Sequence, residues 1–233
     1  MSVAVELPLT DFETVLTTTR SVRRRLDVDR PVAWELVAES LALALQAPTG
    51  GNAQDWRFVV VGDPDLRARI GEHYASCFDR FVRAPLEAAG RDAPEVRGRL
   101  DQSPAAERML AGAAHLAGVI GRAPWLVLAC ATRPNPERDP VASGTTSAVY
   151  GSVYPAVWSL CLALRARGLG SIITTLHLND PEPVAALLGL PDDATQVCLV
   201  PIAHTEGLDF RPAPRRPLGD VVFRDRWGAG AEA

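Results

Sequence analysis

The stretch APTGGNAQDWRFVVV, residues 47 to 61, joins an apolar helical pattern to a hydrophobic run that reads as a buried strand. A plain helix-to-strand connection needs one glycine and a few polar residues. This one sets Gly50 and Gly51 side by side, then brings Asn52, Gln54 and Trp56 in quick succession. Paired glycines let a backbone pass close to another surface, because no Cβ stands in the way. Two carboxamides beside them offer donors and acceptors to that surface. What the loop approaches, and what the carboxamides hold, is the question that the rest of the chain has to answer.

Upstream, residues 32 to 46 follow Pro31, a residue suited to a helix start. They carry Trp34, Val37, Leu41 and Leu45 on one face, with Leu36 and Leu43 off it. A helix apolar nearly all round is expected to be deeply buried. An earlier helix is expected around Asp11 to Thr19. Downstream, Arg57 to Val61 is a strand. Residues 64 to 122, richer in Arg, Ala and Glu and interrupted by Pro85, Pro94 and Pro104, read as two or three surface helices forming an excursion from the core. APWLVLACAT (123 to 132) is a second buried strand, followed by the long loop RPNPERDPVASG. Val149 to Arg167 is a strongly apolar helix, with Pro155 in its first turn, Arg165 and Arg167 suiting the C-terminal dipole and Gly168 as its stop. GSIITTL (170 to 176) and TQVCLVPIAH (195 to 204) are strands flanking a short helix closed by Pro191. The proline-rich tail from Arg211 has no period of its own. Helices outnumber about four strands, the order of a single mixed α+β domain.

Composition narrows the function. At 233 residues and 47% hydrophobic content the chain has ample material for a core. A net charge of −4 argues against a general nucleic-acid binder. All 24 basic residues are Arg, so a Schiff-base lysine and a Walker-type phosphate loop are both excluded. Cys77, Cys130, Cys161 and Cys198 are scattered without a CxxC, and they read as small hydrophobes rather than metal ligands or disulfides. The N-terminus lacks the charged and apolar regions of a signal peptide, and no run reads as a membrane span of roughly 20 apolar residues. A cytoplasmic protein is expected.

The densest basic cluster is TRSVRRRLD, which holds Arg20, Ser21, Arg23, Arg24 and Arg25. Guanidinium forks match phosphate oxygens in pairs, and a serine hydroxyl adds a short donor. The same cluster reads equally as a solvated basic helix end; a nucleic-acid patch is not supported without interleaved aromatics. GLGSII (168 to 173) contains G-x-G, yet it follows a helix and precedes a strand, the reverse of a dinucleotide fingerprint. No G-x-S-x-G elbow, HExxH or telling carboxylate pair occurs. His177 and His204 read as structural residues beside strands. With no nucleophile or acid–base set in view, an enzyme of this sequence takes its reactive atom from a cofactor.

Three separated segments then resemble one family in the right order, the nitroreductase-like FMN oxidoreductases. RSVRRR is similar to its R-S-x-R opening. APTGGNAQDWRFVVV is similar to A-P-S-G-G-N-x-Q-P-W-R-F. The series ALRARGLGSIITT, LLGLP and RRPLGDVV is similar to its last helix, strand and basic anchor. The resemblance implies a nitroreductase-like α+β fold over residues 1 to 233, with a mostly antiparallel sheet of about four to five strands wrapped by helices. It also implies an intertwined homodimer with FMN at the interface, a helical lid over about 64 to 122 and a C-terminal arm over about 211 to 233.

By the same resemblance the glycine loop (Pro48, Thr49, Gly50) passes under the flavin, Asn52 bonds the ring edge, and Gln54 lies near it. Arg20, Ser21, Val22, Arg23 and Arg24 match the segment that holds the phosphate and the pyrimidine side. Thr174 and Thr175 fall against flavin N5 and O4, and Arg215, or Arg216 beside it, closes on the phosphate. Flavin N5 carries the chemistry, no protein side chain is assigned as catalytic and no metal is involved; NAD(P)H is the co-substrate and a small electron-poor molecule such as a nitroaromatic or quinone the acceptor, the alternatives on the same fold being flavin fragmentation, dehalogenation, azoline oxidation or flavin binding without turnover. No nucleic-acid or membrane partner is implied. Tyr74, Phe78 and Phe81 recur at helical spacing and read first as packing, second as a cover for the flavin. Asp55 stands where the family has Pro, Trp158-Ser159 where it has Gln-Asn, and Ala203 where glycine is common.

Overall fold

A computed structural model describes residues 11–89, 104–132 and 143–228. Helix α1 (Phe12–Thr18) is opened by Asp11, whose carboxylate accepts from the Thr14 N–H at 2.7 Å. A two-residue strand, β1 (Leu26–Asp27), leads to α2 (Trp34–Ala44), and the glycine loop follows. Strand β2 (Trp56–Val61) runs into α3 (Pro64–Phe78), where Pro64 takes the first helical position and Asp63 caps the N–H groups of Asp65 and Leu66. A π-turn over Asp79–Arg83 continues into α4 (Ala84–Ala89). Then come α5 (Pro104–Val119), β3 (Trp125–Thr132), α6 (Ser143–Ala166), β4 (Leu169–Ser171), α7 (Glu182–Leu188) and β5 (Ala194–Thr205).

The five strands form one antiparallel sheet in the order β1-β5-β3-β2, with β4 also paired to β5. Strand β3 is buried on both faces, which is why it reads as an unbroken apolar run. Its alternate residues join different cores. Leu126, Leu128 and Cys130 pack with Ile70, Tyr74 and Phe78 of α3 and Leu116 of α5. Val127, Ala129 and Ala131 pack with Val37 of α2 and Val153, Val157, Leu160 and Leu164 of α6. The result is a three-layer α/sheet/α arrangement of the α+β class expected from the sequence.

Several local expectations are corrected. Helix α2 is not deeply buried: Val37, Ser40 and Ala44 point inward, while Trp34, Leu43 and Leu45 remain 46%, 50% and 46% exposed. The inward stripe, Val37, Ser40 and Ala44 flanked by the half-buried Leu36 and Leu41, packs mainly on α6 and leaves the opposite side of α2 open. Helices α3 and α5 are not an excursion, since their inner residues are part of the main core. Pro85 lies inside a continuous helical run, Pro104 opens α5, and Pro94 lies outside the described residues. The loop after β3 is outside them too, up to residue 142. Helix α6 starts six residues earlier than expected, which puts Pro155 mid-helix rather than in the first turn. The missing N–H there leaves the Gly151 carbonyl to solvent, and Gly151 is exposed. Gly168 does end α6, at φ 75°, but Gly189 at φ 63°, not Pro191, closes α7. Within α6, Thr146–Ala166 is long and apolar enough to cross a membrane, contrary to the reading of the sequence; half of that window is buried, as befits a core helix.

Candidate active site

The arginine run is placed by the main chain. The Val22 N–H donates to the Ser171 carbonyl at 3.0 Å, and Ser21 bridges Ser171, so the segment is laid alongside the end of β4. Three residues on, Thr174 is locked to β5, donating to the Leu199 carbonyl at 3.0 Å and accepting from the Leu199 N–H at 2.8 Å. The side chain of Arg23 crosses α5 beside Gly112, where a Cβ would stand 3.3 Å from its Cδ. Arg23, Tyr74, Phe78 and Ile172 to Leu176 line a cavity of about 290 Å³. Burial lowers the Arg23 pKa, with the Tyr74 hydroxyl opposing that effect.

Arg20 donates to main-chain oxygens, those of Thr19 (2.6 Å), Thr17 (2.9 Å) and Arg211, and so binds the start of the C-terminal arm. Its pKa is lowered by burial first and by the nearby charge of Arg215 second. Arg20 and Arg215, from the two ends of the chain, thus lie near enough for their charges to act on each other. Arg165 joins them. The sequence offered it as a helix-end cation, but it is 3% exposed, and its Nε and Nη1 are buried without a hydrogen-bond partner. Its Nη2 donates to the Leu208 carbonyl at 2.9 Å, and its pKa is lowered by burial, Arg25 and Arg20. The legible signal was position: Val157, Cys161 and Arg165 follow one another at helical spacing on the buried stripe of α6.

The other arginines differ in use. Arg25 is structural, paired with Asp209 at 2.5 Å and stacked over Phe210. Arg24 and Arg216 are exposed. Arg215 is exposed and donates to the Pro214 carbonyl at 3.1 Å.

The glycine loop is anchored elsewhere, on α6, where the Gly50 N–H donates to Ser152 Oγ at 3.2 Å. Gly51, Asn52 and Gln54 have φ of 60°, 54° and 49°, a left-handed series rare outside glycine. Thr49 supports it: its carbonyl accepts from the Asn52 N–H at 3.0 Å and its Oγ1 from the Gln54 N–H at 3.2 Å. Gln54 Nε2 donates to Asn52 Oδ1 at 3.0 Å, which leaves the Asn52 amide NH2 to face outward. Pro48, Gly50, Asn52 and Gln54 are exposed, and Thr49 is half-buried. Trp56 is buried in the α2/α6 core and pins the loop's far end.

Of the remaining residues, Thr175 is exposed at the cavity rim. Tyr74 and Phe78 are buried, whereas Phe81 is 41% exposed beneath Arg80. His177 is fully buried, and burial holds its pKa down at about 4. All four cysteines are buried, with the Cys130 thiol pushed up to about 12, the behaviour of small hydrophobes.

The sequence matches the Nitroreductase family model over residues 16–204, and the chain belongs to that family. It is 33% identical over 232 residues to an NADH dehydrogenase of Thermus thermophilus, covering 93% of this chain and 97% of that protein. It is 29% identical over 207 residues to an iodotyrosine deiodinase of Thermotoga neapolitana, covering 88% and 92%. Its fold superposes with a TM-score of 0.66 and 25% identity on the crystal structure of an oxidised iodotyrosine deiodinase bound to FMN and 3-iodo-L-tyrosine, covering 92% of this chain and 98% of that one.

Proposed function

We propose that this chain is an FMN-dependent oxidoreductase that draws hydride from NAD(P)H and delivers electrons to a small electron-poor acceptor such as a nitroaromatic or a quinone, working as a homodimer. The observation that carries the reading is the cation set. Arg20, Arg165 and Arg215 gather from sequence positions far apart, and the partners of Arg20 are carbonyls. Like charges held together, one of them buried with two nitrogens unsatisfied, fit a phosphate monoester far better than they fit water. Arg20 and Arg215 would hold that phosphate, with Ser21 as a short donor. Arg23 would sit at the pyrimidine side, where a fixed cation stabilises the negative charge left by reduction. FMN, when bound, supplies the hydride-accepting centre that the side chains lack.

The glycine loop would meet the FMN of a partner copy, since within one chain it is tied to α6 and not to the arginine segment. Trp34, Leu43 and Leu45 of α2, Trp158 of α6 and Trp227 of the arm are large apolar side chains left exposed, Trp227 by 93%. Such a face suits a second copy. The lid over α3 to α5 and the arm from Arg211 belong to the same proposal.

Dehalogenation is the second reading, favoured by the likeness to the two deiodinases. One set of measurements separates these. The purified protein is expected to be yellow, to have a dimer's mass, and to bleach on anaerobic mixing with NADH or NADPH. Re-oxidation by a quinone or nitroaromatic supports the first reading, and iodide release from an iodophenol the second. A yellow protein that neither nicotinamide bleaches would be a flavin carrier, and a colourless one that takes up no added FMN would sink the proposal.

A further inference from the structure

The segment that leaves β5, Glu206 to Arg211, is gripped by three arginines from elsewhere in the chain. The Glu206 carbonyl accepts from Arg25 Nε at 2.7 Å, the Leu208 carbonyl from Arg165 Nη2 at 2.9 Å and the Arg211 carbonyl from Arg20 Nη2. Phe210 stands between the last two. Its ring centre lies 4.2 Å from Arg25 Cζ and 4.7 Å from Arg165 Cζ, and the half-buried side chain packs on the core shared by α3 and α5. Gly207 permits the close approach: it has φ 74°, and a Cβ there would stand 2.7 Å from Arg25 Nη2. We propose that Phe210 is a positioning residue for the flavin phosphate: with Arg25 and Arg165 it clamps the start of the C-terminal arm, and a stiff connector carries that fixed position to Arg215. This rests on the flavin reading of the site, which puts Arg215 on the phosphate.

The ring is what holds the clamp together. Arg165 is 3% exposed, and its Nε and Nη1 have no hydrogen-bond partner. A guanidinium cut off from water gains more from an aromatic face than a hydrated one does. A leucine would fill similar space without offering that face.

Beyond the clamp the chain runs Arg211-Pro212-Ala213-Pro214-Arg215. Each proline fixes its own φ and keeps the residue before it extended, so residues 211 to 214 all have restricted backbones. Arg215 therefore cannot swing far from the point where Phe210 and Arg211 are held. Its charge acts on Arg20, the residue whose Nη2 holds the Arg211 carbonyl. Opening the clamp leaves Arg215 chemically intact but frees the arm, which then has to be ordered again when a phosphate binds.

The test compares FMN with riboflavin, which lacks the phosphate, in fluorescence titrations of the flavin-free protein. Phe210→Leu is expected to weaken FMN binding about tenfold and to leave riboflavin binding unchanged. Phe210→Tyr, which keeps the ring, should retain the parent affinity. Arg215→Ala should also weaken FMN, and Phe210→Leu added to it should change nothing further. An unchanged FMN affinity in Phe210→Leu, equal losses for both flavins, or a full further loss in the double variant overturns the assignment. Where riboflavin binds too weakly to titrate, the double variant decides alone. If Phe210→Leu does not fold, the exposed prolines provide the test: Pro212→Gly with Pro214→Gly loosens the connector and should weaken FMN binding about tenfold. Parent affinity in that variant would show that the clamp does not set Arg215. A parent protein that binds no FMN removes the functional reading as well, whereas one that binds it while Phe210→Leu is silent leaves that reading standing.

Discussion

Asn52 and Gln54 show how one side chain aims another. Both sit at positive φ in an exposed loop, a conformation that asparagine tolerates and glutamine rarely adopts. The Gln54 amide occupies Asn52 Oδ1, so the asparagine NH2 is the group left to meet a ligand. Gln54→Ala is expected to leave thermal stability unchanged, because the residue is exposed, and to weaken FMN retention about fivefold, the worth of one hydrogen bond near 1 kcal/mol. A fluorescence titration of the flavin-free variant measures this, and equal affinities would separate Gln54 from the site. Both carboxamides were visible in the sequence. Their mutual bond was not, since it depends on the left-handed backbone that curls the loop.

At the scale of elements, α3 is seated by a close approach. A Cβ on Gly71 would lie 2.6 Å from the Gly121 Cα, between α3 and the turn Ile120–Arg122. Backbone cannot rotate away as a side chain can, so Gly71→Ala is expected to cost on the order of 1–3 kcal/mol. Gly118, also helical, has nothing within 4 Å of its would-be Cβ. Gly118→Ala should therefore stabilise by about 0.5–1 kcal/mol through helix propensity. Urea unfolding of the two variants gives opposite signs if α3 is seated this way, and two equal effects would contradict it. The presence of α2 and of α6 was legible from periodicity, but not where α6 begins nor how exposed α2 is. Which stripe is covered depends on what packs there, and α2 packs mainly on α6.

At the scale of the molecule, one buried histidine ties stability to pH. His177 has a folded pKa of about 4, depressed by burial and secondarily by His73. The unfolded chain binds that proton near its ordinary value of 6.5. Above 6.5 neither state is protonated and nothing changes. As pH falls from 6.5 towards 4, the unfolded state gains a proton that the fold refuses, so stability is lost across that window. Between pH 7 and pH 5 the loss attributable to His177 is about 2 kcal/mol. His177→Leu is expected to flatten this part of the denaturation profile, and an unchanged slope would assign the effect to other groups.

The sequence alone determined the strands β2, β3 and β5, the helix stop at Gly168, the unusual loop at 50 to 54 and the likeness to a flavoenzyme family. Each of these is written in near neighbours, in periods of two or 3.6 residues or in backbone needs that only certain residues meet. Tertiary structure alone decided that Arg165 turns inward, that Arg20 reaches an arm 191 positions away, and that Tyr74 meets Thr174 across 100. Those contacts have no local signature. They exist because the sheet brings β4 beside β5 and stacks α3 over them, and packing selects partners by shape and distance rather than by order along the chain.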